Sequence, residues 1–244
     1  MTVQTNHSLS VDCVVFGFNG QSLKVLLVER RYKATEPGRA KEYKLPGSMI
    51  LEAETLPSAA SRVLAQATGL KNVFLKQTRI FSDPHRVEGD ELKWINDFHK
   101  ISANRVVTVG YYALVKLDNQ IIEHTTAQGA HWAQVDEVRH LAMDHKQILV
   151  DTLSVLCEQI TSSPIAFELL PRKFTIRQLQ SLYSAILGVD IDNRNFRKKI
   201  LGSGYLIPTG EREKGVSHKP AEFYIFNKAA YKKLKSNKFK LGFI

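Results

Sequence analysis

The sequence predicts an α/β sandwich with a mixed sheet over residues 1–162 and a winged helix-turn-helix over residues 163–244. Strand-like runs alternate with helical ones through the first two thirds, which argues for mixed α/β layers. The last third reads as two amphipathic helices around a short glycine-containing turn, followed by two strand-like runs. The net charge of +10 also sits wholly at that end. Residues 163–244 hold 16 Lys plus Arg against 6 Asp plus Glu, leaving 18 of the 34 basic and 18 of the 24 acidic residues to the rest. Charge segregated in this way signals nucleic acid or an anionic surface. A Lys-rich solvated tail, Lys228 to Lys240, accounts for some of the excess on the blander reading.

The elements follow in order. Val11 to Phe18 is β-branched and aromatic, Asn19-Gly20 is a turn, and Leu23 to Arg30 is a second apolar run, which together predict a hairpin. Residues 31–43 are polar with Pro37-Gly38 and read as a loop. A helix is predicted over 57–68, with Thr55 or Leu56 ahead of Pro57. Its stripe is Ala60, Val63, Leu64 and Ala67, and Gly69 ends it. Strands follow at Val73–Phe81, Val106–Leu117 and His131–Gln134. A helix over 146–160 turns Ile148, Leu149, Thr152 and Leu156 inward, so this part has two helices. The polar stretch from Asp83 to Arg105 is long for a connection. It is either a functional loop or short extra element, or a tolerated surface insertion.

In the last third, Phe174 to Leu187 is a helix with Thr175 at the N-cap and Ile176, Leu179, Leu182, Tyr183 and Ile186 on one face. Gly188 to Ile191 turns the chain into a helix over 192–201 that stops at Gly202. Tyr205–Thr209 and Glu222–Phe226 are strands, and Gly210 to Pro220 forms a wing. Phe196 and Ile200 define the buried side of the second helix, which turns Arg194, Asn195 and Lys198 outward with Arg197 and Lys199 on the flanks. Arg reads guanine and Asn reads adenine in the major groove, while Lys neutralises phosphate. Candidate DNA contacts are therefore Arg177, Asn193, Arg194, Asn195, Arg197, Lys198, Arg212, Lys214 and Lys219. An ordinary solvated basic helix is the alternative.

Other classes are excluded or made improbable by composition. With 43% hydrophobic residues the chain has ample material for a core. Cys13 and Cys157 are too few for a disulfide framework or a cysteine metal site and fit a reducing compartment. The opening MTVQTNHSLSV lacks a secretory pattern, and no apolar run nears the roughly 20 residues that span a bilayer. A soluble, cytoplasmic protein with no membrane partner is expected.

The stretch from Gly47 to Leu70 carries a recognisable pattern. Glu54, Arg62, Leu64, Gly69 and Leu70 stand at the spacing of the Nudix box, with Ser48 at its first glycine, preceded by Gly47. The segment resembles that box with its chemistry removed, because Val63, Gln66 and Ala67 occupy the positions of its helix glutamates. In Nudix enzymes those glutamates hold the Mg²⁺ ions that activate water on a pyrophosphate. The resemblance then implies a retained pocket, no catalytic residue, no metal and no cofactor. Glu54 and Arg62 are read as a structural ion pair and a first-turn acid.

Taken with VDCVVFGF, LLVERR, FSDPHR, RVVTVGYYALV and NFRKKIL, the chain resembles the Nudix-related transcriptional regulators from about Val11 to Leu234. Some of these respond to ADP-ribose and some to arabinose. The resemblance implies a homodimer that grips double-stranded operator DNA through two winged helices and answers to a small-molecule effector in the Nudix-like domain. One departure is the insertion of residues 87–104. Arg30, Lys44, Glu54, Arg62, Trp94, Asp97 and His99 are the candidate ligand contacts, chosen from the box and its neighbouring strands. Arg30, Arg31, Lys44 and Arg62 would serve a diphosphate. The missing carboxylates favour a neutral pentose, which wants amides, carboxylates and an aromatic face. Two further readings stand beside the regulator. One is a divergent Mg²⁺-dependent hydrolase recruiting its metal through Glu54, Glu52 and Glu42. The other, a dimerisation module, explains neither the charge split nor the helix-turn-helix.

Overall fold

The computed structural model describes residues 5–30, 41–71 and 73–230. Arg31, the Pro37-Gly38 turn and most of the Lys-rich tail lie outside them. Two compact units emerge: residues up to Gly17 with Lys24–Leu153, and Phe18–Leu23 with the chain from Ser154 onward. The division falls inside a helix, ahead of the boundary expected at 162/163. No helix among the described residues is long and apolar enough to cross a membrane.

The first unit is built on a seven-stranded mixed sheet. Its path runs β3 (Tyr43–Lys44), β2 (Leu23–Glu29), β1 (Thr5–Phe18), β6 (Val107–Lys116) and β5 (Leu75–Phe81). In addition, β4 (Gly47–Leu51) pairs with β1, and β7 (Ala130–Gln134) pairs with β2. Alternation along β1 decides which side chains go where. Val11, Cys13 and Val15 join a core with Ala59, Ala60, Val63 and Leu64 of helix α1 (Leu56–Thr68). Ser10 and Asp12 point to the other face. Thr55 caps α1 by accepting from the Ser58 amide, while Gly69 ends it in the left-handed conformation at φ 72°. Pro57 therefore occupies the second helical position rather than the first.

Three expectations are corrected. Among the described residues this part of the chain holds four helices, not two, because α2 (Gly89–His99) and α3 (Asn119–Ala127) join α1 and α4 (His145–Ser162). α2 lies within residues 87–104, so of the readings open for the polar stretch the short extra element is the one the fold adopts. Residues 43–51, read as the end of a loop and as the box's approach, form β3 and β4 because Val28↔Lys44 and Asp12↔Gly47 pairings give them partners. Glu54 precedes the cap Thr55, so it is not a first-turn acid. The inward set on α4 agrees with expectation: Ile148, Leu149, Thr152 and Leu156 are all buried.

The second unit follows its expected order with two additions, a 3₁₀ turn at Pro164–Leu169 and a strand β8 (Phe174–Thr175). Thr175 caps α5 (Ile176–Leu187) and shares a reciprocal capping box with Gln178. Gly188 closes that helix at φ 67°. Asp192 then caps α6 (Asn193–Gly202). A three-stranded sheet in the order β8, β10 (Glu222–Phe226), β9 (Leu206–Arg212) completes the unit. β9 runs three residues past Thr209, so the wing narrows to residues 213–221.

Candidate functional site

The box helix lines an open cleft of about 580 Å³ in the first unit. Val63, Gln66 and Ala67 form part of its wall, so the three positions where a Nudix enzyme keeps glutamates do face a cavity. Lys44, Gly47 and Ser48 line it from the β3–β4 turn, Trp94 and Phe98 from α2, and Gln128 and Gly129 from the end of α3. Glu29 is the one carboxylate among the lining residues, and it pairs with Lys41 at 3.1 Å.

This donor set does not fit hard divalent cations, which want several oxygen ligands. Glu54 is committed elsewhere: it receives the Arg62 Nε at 2.6 Å and Nη2 at 2.8 Å, and the Leu51 amide at 3.0 Å. The Arg62 hydrogen bonds hold the Glu54 carboxyl below its usual range. Arg62 also donates to the Met49 carbonyl at 3.1 Å, so the pair fastens α1 to β4. Among the described residues, no group of three His, Cys, Asp or Glu could hold a metal ion.

Behind the cleft, a small cavity of about 40 Å³ shares Lys44, Gly47, Ser48, Trp94 and Phe98 with it and adds Ser10, Asp12, Arg86, His99 and His145. Asp12 accepts from Thr108 Oγ1 at 2.7 Å and stands 3.6 Å from His145 Nε2. His145 Nδ1 accepts the Leu45 amide at 2.9 Å, which fixes the ring. Burial pushes His145 down to about 4, with Lys44 and Arg86 helping and Asp12 opposing. Arg86, from FSDPHR, makes a two-pronged ion pair with Asp144 at 2.8 and 2.7 Å. Gly47 belongs to this network too, since a Cβ there would lie 1.7 Å from the Asp12 carboxylate. The first glycine of the stretch is required by close approach rather than by turn geometry.

Of the ligand candidates, Lys44 and Trp94 line both cavities, and His99 lines the inner one. Lys44 is turned toward backbone, donating to the Leu45 and Gly47 carbonyls at 3.2 and 3.0 Å, and burial lowers its ammonium. His99 is lowered to about 4 by burial and by nearby Lys44 and Arg62. Arg30 lies buried behind the wall, bridging Glu42 and Glu91 at 2.9 and 2.6 Å, with its guanidinium 4.4 Å from the Trp94 ring centre. Glu54, Arg62 and Asp97 are not lining residues of either cavity, and Asp97 is exposed. Sequence reasoning missed Asp12, Ser48, Arg86, Phe98, Gln128 and His145. The available signal was a lone carboxylate, Asp12, in an otherwise apolar strand.

The second unit presents the DNA candidates on its surface. Phe196 and Ile200 are fully buried, while Asn193, Arg194, Asn195, Arg197 and Lys198 are exposed along α6. Arg177 of α5 stands 3.4 Å from His218 of the wing, so these two elements share one edge. Arg212 ends β9 opposite Glu222, and Lys214 and Lys219 are exposed on the wing. The arrangement brings helix, wing and α5 cations together in one fold.

Comparison with known proteins decides the family. The Nudix domain matches residues 6–152, more than half of the chain, and the NrtR DNA-binding winged helix domain matches residues 166–226. The chain belongs to the Nudix family, with an NrtR-type winged helix behind it. A curated relative, the ADPR responsive transcriptional repressor NtrR of Acinetobacter baylyi, is 27% identical over 224 residues, covering 89% of this chain and 81% of that protein. NrtR of Shewanella oneidensis, solved with a 27mer DNA, aligns at TM-score 0.70 and 26% identity over 95% of this chain and 97% of its own. A MutT/nudix family protein from Enterococcus faecalis shares the fold at TM-score 0.62 and 22% identity, over 93% of this chain and 89% of its own.

Proposed function

We propose that this Nudix-family chain is a ligand-responsive transcription regulator that grips operator DNA with its winged helix and senses a small molecule in a non-hydrolysing Nudix cleft. The observation that carries the proposal is the cleft wall itself. Val63, Gln66 and Ala67 line it at the positions where the Nudix box carries its metal-binding glutamates. A sensor must hold its effector without consuming it. The exposed cations of α6 supply the output.

ADP-ribose replaces the pentose favoured on the missing carboxylates, since the Acinetobacter relative is named for its response to ADPR. That relative is a repressor, and we assign the same sign here, acting in the cytoplasm as a homodimer with one winged helix on each half-site. The alternative hydrolase loses its best metal ligand, because Glu54 is occupied by Arg62.

A gel-shift assay on the protein's own promoter region tests the proposal. Selective retardation, reversed by ADP-ribose, is expected. Equal affinity for that fragment and for random DNA sinks the regulator. Mg²⁺-dependent release of AMP from ADP-ribose, abolished by Glu54→Gln, establishes the hydrolase in its place.

A further inference from the structure

One wall of the cleft is made of two aromatic rings, a half-buried Trp94 and an exposed Phe98. Trp94 and Phe98 lie four residues apart on α2, so they share a face of the helix. Their rings stack at 4.9 Å between centres and 16° between planes. Ile95 fills the small core beneath α2 with Met49, Val87, Ala103 and Val106, and Phe98 takes no part in it. Phe98 is instead 51% exposed at the cleft.

The wall is held in place from behind. Arg30 ties α2 to the end of β2 through Glu91 at 2.6 Å and backs the Trp94 ring at 4.4 Å. Asn96 exchanges two hydrogen bonds with the Ala103 backbone, at 3.0 and 2.7 Å, fixing the helix's far end. His99 stands edge-on to Phe98 at 5.0 Å and 81°. Elsewhere the cleft offers the amides of Gln66 and Gln128 and the hydroxyl of Ser48, with Lys44 as the sole cation among its lining residues. A fixed, exposed aromatic surface beside amides suits a flat heteroaromatic ring with polar edges.

We infer that the Trp94–Phe98 pair on α2 is a stacking platform for the nucleobase of the effector. The inference rests on reading the cleft as the effector pocket, and it assigns the base, rather than the phosphates, to the inserted helix. Stacking on one aromatic side chain is worth roughly 10- to 100-fold in affinity.

Calorimetry on the full chain with adenosine, ADP-ribose and ribose 5-phosphate tests it. Wild-type protein is expected to bind adenosine and ADP-ribose, and to bind ribose 5-phosphate more weakly. Phe98→Ala should weaken adenosine and ADP-ribose by roughly 10- to 100-fold and leave ribose 5-phosphate unchanged. Phe98→Tyr should restore both, and an unchanged melting temperature for all variants excludes unfolding. Wild-type affinity for ADP-ribose in Phe98→Ala overturns the platform, as does an equal loss for all three probes. Arabinose binding more tightly than adenosine also overturns it, in favour of a sugar on the same rings. Selective retardation of operator DNA without binding of adenosine or ADP-ribose overturns the platform and leaves the regulator standing. Phe98-dependent adenosine binding without DNA selectivity upholds the platform and removes the regulator.

Discussion

Arg86 and Arg194 carry the same guanidinium in opposite settings. Arg86 is buried, clamped on Asp144 and bonded to the Val106 carbonyl, and so are its counterparts Arg30 on Glu42 and Glu91. Arg194 lies exposed on α6 beside Asn195 and Lys198. The Nudix unit uses Arg30, Arg62 and Arg86 to fasten strands and helices around a cleft. The winged helix carries Arg194, Arg197 and Lys198 on the surface of α6. Net charge alone distinguishes the two roles, since burial demands a partner of opposite sign and exposure does not.

Arg86→Ala should break that contrast hardest. It leaves the half-buried Asp144 without its partner and should cost about 2–3 kcal/mol of stability in the first unit, read by chemical denaturation. An unaltered midpoint would mean that the pair is not what organises the inner cavity. Arg194→Ala with Lys198→Ala should do the reverse. Melting stays at the wild-type value while operator affinity falls on the order of 100-fold, and the salt dependence of binding becomes shallower by about one to two units. A drop in stability with DNA binding intact would reverse the assignment of the two surfaces.

Gly47→Ala should destabilise by about 1–3 kcal/mol, because its Cβ meets the Asp12 carboxylate and the strands must part. Gly47→Ala with Asp12→Ala should recover part of that loss in a double-mutant cycle. Acid sharpens the comparison further. His145 is depressed from 6.5 to about 4 by burial, so the unfolded chain binds its proton first as pH falls. Stability is then lost between about 6.5 and about 4, and His145→Gln should flatten that part of the pH profile. Glu54, held low by Arg62, adds a loss in more acid solution as pH falls through its folded pKa. The smallest effect belongs to Glu54→Gln at neutral pH, about 1 kcal/mol or less, because the pair with Arg62 is partly solvated.

The sequence made some of this legible because the relevant forces are local. The stripes of α1 and α5, the cap Thr175 and the glycines Gly69 and Gly188 all act within a few residues. The elements that were missed depend on distant partners. α2 buries only Ile95 and α3 only Thr125, so neither shows a full apolar stripe. β3 and β8 are two residues each and exist as strands only through the neighbours they pair with. The site divides in the same manner. Val63, Gln66 and Ala67 were readable from motif spacing, whereas Asp12 meets Thr108 and His145 across 96 and 133 positions of chain. Arg30, read as a ligand contact, pairs with Glu42 and Glu91, and an arginine at a strand end carries no sign in sequence of those two glutamates.

The Arg30–Glu91 bridge has a consequence for building biosensors from this chain. α2 is held at Glu91 by Arg30 and at Asn96 by the Ala103 backbone, and it contributes rings to the cleft. On the proposed reading, the rings that would meet the small molecule lie in the first unit and the cations that would meet the operator lie in the second. Libraries at positions 94, 98 and 99 that keep Arg30 and Glu91 should retune the inducer while the same promoter continues to read it.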